Sequence, residues 1–127
     1  MSVDIQWRRI KGTYKNWSEI LNLLGTVKEE GGIINLKRGE DVFSLEVDKV
    51  AKTYFPILDP VQKGPLRFYY NSDKDMTMVD FDGVMQSAAL LTDDFDLILR
   101  LTKEFFETGD VKCMVPEDAL PEVLWEG

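Results

Sequence analysis

The sequence predicts an α+β domain, with an antiparallel or mixed sheet of about five or six strands packed against two main helices near 17–30 and 92–107. Three observations predict it. Apolar and polar residues alternate over 3–10, as in a half-buried strand. Two β-rich runs, GIINLKR (32–38) and DVFSLEV (41–47), flank Gly39-Glu40 in the manner of a hairpin. Two other stretches switch to helical spacing. A chain of 127 residues suits one domain, 1–127, with 110–127 as a tail expected to dock on the body.

Each element follows from its residues. In VDIQWRRI (3–10), Val3, Ile5 and Trp7 alternate with Asp4, Gln6 and Arg8. The basic run WRRIKGTYK (7–15) reads as a solvated strand edge. Asn16 or Ser18 is placed to cap the first helix, with Trp17, Ile20, Leu21, Leu24 and Val27 on one stripe. Gly31-Gly32 ends it in a left-handed C-terminal turn, and Glu29 and Glu30 argue for fraying, since anions oppose the dipole there. DKVAKTYF (48–55) is open between a short helix and a loop, and FPILDPVQKGP (55–65), with three prolines, reads as a connection. LRFYY (66–70), NSDKD (71–75) and MTMVDFD (76–82) read as strand, turn and strand, the last apolar enough on both faces to be central. VMQSAALL (84–91) fits either strand or helix. Thr92 is placed to cap the second helix, which runs to about Glu107 before Gly109. Its inner side is Phe95, Ile98, Leu99, Thr102 and Phe106, widened by Leu97, Leu101 and Phe105; Asp93, Asp96, Arg100, Lys103 and Glu107 form the polar stripe.

Composition then narrows the function classes. The single cysteine, Cys113, excludes an internal disulfide and points to a reducing compartment, and no apolar run resembles a signal peptide or a membrane helix. A cytoplasmic location is the expectation. The net charge of −8 disfavours nucleic acid and anionic membranes and suits a basic protein partner. The chain has no histidine, so Ser-His and Cys-His catalysis and the usual zinc sites are disfavoured. No phosphate-binding glycine loop is present, since GTVKEEGG (25–32) lacks the spacing.

VDFDGV (79–84) resembles the first motif of the haloacid-dehalogenase-like phosphatases, which would make Asp80 a nucleophile. That chemistry needs a magnesium ion, further carboxylates and a cation for the phosphoryl group, and only 45 residues follow Asp82. An ordinary strand closing in a turn accounts for the same residues. No catalytic residue, metal ligand or cofactor is therefore assigned. The residues assigned to a partner are Tyr69, Tyr70, Asp73, Asp75, Asp80, Asp82, Asp93 and Asp94: aromatic anchors with an acidic rim that attracts a cationic surface.

The run from FYYNSDKDMTMVDFDGVM to DDFDLILRLTKEFF is similar to the last part of SUKH-superfamily proteins, with Phe95, Ile98 and Leu99 in the apolar positions of the closing helix. The early part lacks that family's usual L-P-x-x-Y/F segment. The resemblance implies a bacterial immunity protein that blocks a toxin. The expectation is thus a non-catalytic, monomeric or weakly dimeric protein that occludes a basic toxin. The alternatives are a small binder or enzyme using a carboxylate cluster with a divalent ion, and a structural assembly subunit.

Overall fold

The computed structural model describes residues 1–59, 66–67, 77–111 and 124–125. The alternating segment forms β1 (Val3–Trp7), but the strand does not run on to residue 10. Arg8 takes φ 53°, the chain reverses in two residues, and β2 (Ile10–Tyr14) returns antiparallel with Trp7 opposite Ile10. The basic run is therefore the second arm of a hairpin.

Helix α1 (Trp17–Glu30) starts at Asn16, whose Oδ1 accepts from the Ser18 backbone N–H at 2.9 Å. Its buried residues are Ile20, Leu23, Leu24 and Val27, while Leu21 is 40% exposed, so the apolar stripe is turned by one position from the expected one. The helix does not fray at Glu29; it holds to Glu30. Gly31 then adopts φ 76° and ψ −175°, not the left-handed helical conformation but a region essentially closed to other residues. Its carbonyl accepts from Trp7 Nε1 at 3.0 Å, and a Cβ on Gly32 would stand 3.2 Å from that nitrogen. The two glycines thus let β1 pack closely against the helix exit.

β3 (Gly32–Arg38) and β4 (Asp41–Asp48) form the expected hairpin about Gly39-Glu40. The ambiguous segment after it is a turn: Asp48 Oδ1 accepts from the N–H groups of Val50 and Ala51, both at 3.1 Å. β5 (Thr53–Asp59) follows, so the first half of the proline-rich connection is a strand. Pro56 is tolerated there for a geometric reason. Tyr54 turns its N–H and C=O away from β4, to Thr92, and Pro56, two residues on, shares that orientation. Its missing donor faces away from β4, where the ladder does not need it.

Two-residue strands β6 (Leu66–Arg67) and β9 (Leu124–Trp125) extend the sheet beyond β5. The order is β2-β1-β3-β4-β5-β6-β9, and every pairing is antiparallel. The C-terminal tail thus reaches the body through β9. The strand expected to be central is instead β7 (Met78–Phe81), which pairs only with β8 (Val84–Ser87) in a separate two-stranded sheet. A single 3₁₀ turn (Ala88–Leu90) leads out of β8. This is an α+β single domain.

Helix α2 (Phe95–Thr108) is capped by Asp94 rather than Thr92: Asp94 Oδ1 accepts from the Leu97 N–H at 3.1 Å. Thr92 sits earlier, bridged to Tyr54, with its hydroxyl oxygen accepting from the Asp94 N–H. At the other end Gly109 is left-handed, and Arg38 Nη1 donates to the Phe106 carbonyl at 3.1 Å. That guanidinium supplies the cation that the last turn of α2 lacks in its own sequence.

Both helices lie on one face of the main sheet. Ile5, Trp7, Ile34, Leu36, Phe43 and Leu45 from the strands pack against Ile20, Leu24, Val27, Ile98, Leu101 and Phe105. Aromatic pairs join sheet to helix, Phe43 with Phe105 at 5.7 Å and Tyr54 with Phe95 at 5.3 Å, and helix to helix, Trp17 with Phe106 at 6.1 Å. Thr102 is buried but satisfied, donating to the Ile98 carbonyl. The β7–β8 hairpin packs separately, on β5, through Phe55, Phe81 and Leu90. Among the described residues no helix is long and apolar enough to cross a membrane.

Candidate functional site

Asp82-Gly83 joins β7 to β8 in a two-residue turn with φ 51° and 87°. Positive φ at both central positions matches the right-handed twist of the strands, and Asp-Gly is the pair best suited to it. Asp80 Oδ1 accepts from the Gly83 N–H at 2.9 Å. The D-x-D pair therefore closes a hairpin, as the strand-and-turn reading has it.

The turn is tied to the main sheet by a residue that sequence reasoning did not single out. Asp48 Oδ2 accepts from the Asp82 N–H at 3.1 Å while Oδ1 holds the β4–β5 turn. These N–H donors, that of Ala51 foremost, hold the Asp48 carboxyl below its ordinary range. Glu46, on the sheet face opposite the helices and across from Phe55, stands beside Asp82. Burial first, then the Asp82 charge and a carboxyl–carboxylate hydrogen bond to it, push Glu46 up. Asp82 is thus brought together with Glu46 and Asp48, while Asp80 closes the same turn from the hairpin's outward face. The signal for Asp48 was an Asp at the start of the ambiguous DKVAK segment, where an Asx turn begins.

Asp93 and Asp94 lie elsewhere, at the start of α2 on the helix-bearing face. Asp94 is occupied as the cap. Asp93 is near enough to Tyr54 that its charge, after burial and the charge of Glu29, raises the phenol. The four described acids of the expected rim, Asp80, Asp82, Asp93 and Asp94, are therefore divided between two faces, and Tyr69, Tyr70, Asp73 and Asp75 lie outside the described residues.

Apolar side chains surround the first group. Met78, Val84 and Met85 are 53%, 55% and 56% exposed, and Val50, at the tip of the neighbouring turn, is 86% exposed. Register places Met78, Asp80 and Met85 on the hairpin's outward face. None of these apolar residues was expected at a site; methionine at the outward positions 78 and 85 was the available signal. An open cleft of about 310 Å³ lies beside them, bordered by Arg8, Glu30, Gly32, Asp48, Lys49 and Asp82. Among the described residues no three carboxylate or thiol groups are disposed to hold a metal ion. Asp48 already accepts from backbone donors on both oxygens. The arrangement can anchor a hairpin and present carboxylates beside an apolar surface.

Residues 1–115 match the model of a family described as a family of unknown function (DUF6911). The chain belongs to that family. The match spans both helices and the β7–β8 hairpin and stops short of β9. No curated protein and no solved structure matches the chain.

Proposed function

We propose that this protein works by binding rather than by catalysis, using the β7–β8 hairpin and its flanking acids to cover a cationic surface on a protein partner. One observation carries the reading. Met78, Val84 and Met85 are each more than half exposed on a hairpin that also carries Asp80 and Asp82. Methionine adapts to an irregular partner surface, and carboxylates at the margin speed encounter with a basic one. The net charge of −8 acts in the same direction at longer range. An immunity protein that occludes a basic bacterial toxin is the favoured instance, supported by that charge and by the SUKH-like run over 68–106. Occlusion would be steric, with the acids standing where a polyanionic substrate would sit.

The test uses the immobilised chain and a Met78→Ser/Val84→Ser/Met85→Ser variant, whose changed side chains face solvent. A basic protein retained by the wild type, released at about 0.5 M salt and lost to the variant is the expected result. The same partner held equally by the variant, or substrate turnover by the isolated chain, would refute the proposal.

A further inference from the structure

The opposite edge of the sheet carries the opposite charge. Among the described residues β2 ends the strand order, with β1 on one side and no strand on the other. Trp7 and Ile10 close a two-residue turn and so form a hydrogen-bonded pair, and pairing alternates from there. Gly12 and Tyr14 therefore direct their backbone groups to β1, whereas Lys11 and Thr13 direct theirs outward. Among the described residues nothing crowds this edge: Ile10, Lys11 and Thr13 are exposed, and a Cβ on Gly12 would meet only the Tyr14 ring, at 3.8 Å.

Within residues 7–15 there are four cations and no acid. Arg8 is engaged with Glu30 at 3.3 Å. Among the described residues no ion pair involves Arg9, Lys11 or Lys15, all exposed. On the face away from the helices, an open groove of about 550 Å³ runs inward from β2 past Lys11, Thr13, Gln6, Asn35 and Lys37. Asp4 lies in the same groove, but its Oδ1 accepts from the Thr13 hydroxyl at 2.6 Å. Asn35 Oδ1 accepts from Ser44, which leaves its amide nitrogen able to donate into the groove.

We infer that the free edge of β2 receives an extended acidic peptide segment as an added strand, its carboxylates meeting Arg9, Lys11 and Lys15. Backbone pairing with Lys11 and Thr13 supplies affinity, and the cations supply choice of partner. A second copy of this chain is a poor occupant. An antiparallel pairing centred on Gly12 opposes Arg9 with Lys15 of the other copy; centred on Lys11 it opposes the two Lys11 residues; centred on Thr13 it opposes Lys11 with Lys15. Each such register sets like charges across the ladder, which destabilises it. The surface is independent of the hairpin discussed above, since β1, β3 and β4 stand between β2 and β5.

The experiment measures fluorescence anisotropy of a labelled peptide of about eight residues, alternating Glu and Val, against the full chain. Binding is expected, weakened about tenfold or more by Lys11→Glu and by about 1 M salt. Thr13→Pro, at an outward-facing position where an edge strand tolerates proline, should abolish binding while circular dichroism stays native. Should that variant unfold, a peptide N-methylated at every residue, and so without a backbone donor on either edge, tests the same backbone pairing on the wild-type chain and should not bind. Equal binding of a Lys-Val peptide, undiminished binding of the N-methylated peptide, or no binding of the Glu-Val peptide at about 1 mM would each overturn the inference. So would tighter binding of a single-stranded oligonucleotide of equal charge, or a dimer abolished by Thr13→Pro.

Discussion

Phe81 is the side chain that fastens the β7–β8 hairpin to the body. It is 1% exposed and meets Phe55 edge to face, with ring centroids 6.0 Å apart. The third buried member of that small core is Leu90. Phe81→Ala removes roughly 130 Å² of buried apolar surface, worth about 3 kcal/mol at ~25 cal/mol/Å². Loss of the aromatic pair adds about 0.5–1.5 kcal/mol. The sum lies within the ~3–5 kcal/mol usual for a buried Phe→Ala. For a domain of 127 residues, with an unfolding entropy near 0.27 kcal/mol/K, Tm should fall by about 13–17 °C. Urea denaturation and a thermal melt measure the loss, and amide exchange locates it. Because this cluster is separate from the main core, the amides of Val79–Met85 should lose protection more than those of β3 and β4. A Tm shift below about 2 °C with hairpin protection intact would refute the claim that Phe81 holds the hairpin in place.

Three further outcomes follow from particular contacts. Asp94→Ala removes the α2 cap and should cost about 1 kcal/mol by urea denaturation, whereas Thr92→Val should leave the cap hydrogen bond to Leu97 intact. Glu46→Gln should stabilise the protein at pH 7 by under about 1 kcal/mol, the partly exposed site being screened by solvent. The sign follows from the raised folded-state carboxyl: wild-type stability falls as pH rises from 4.5 through that raised value, so the advantage of Gln should disappear in melts below pH 4.5. Trp7→Phe leaves the Gly31 carbonyl without its buried donor and should cost about 1–3 kcal/mol, read as a shift in the urea midpoint without a change in slope.

Much of this protein is determined by sequence alone, where the cause is local. The 3–7 strand, the 32–48 hairpin and both helices follow from periodicity, and Gly39 and Gly109 mark their turns because few other residues take those backbone angles. Asp82-Gly83 announces its turn in the same way. What only the tertiary structure decides is which neighbour each element meets. Pro56 looks like a strand breaker until Tyr54 turns its backbone toward Thr92, leaving the proline's missing donor on the side away from β4. Arg8 shows no glycine-like signal, yet it makes the turn that creates a free basic edge. The acids 80 and 82 are separated from 93 and 94 by faces of a sheet, not by distance along the chain. Glu46 and Asp48 meet Asp82 because the hairpin's turn is anchored on the end of β4. Local propensity depends on a few adjacent bonds, whereas the company a carboxylate keeps depends on which surfaces the packing of the core brings together.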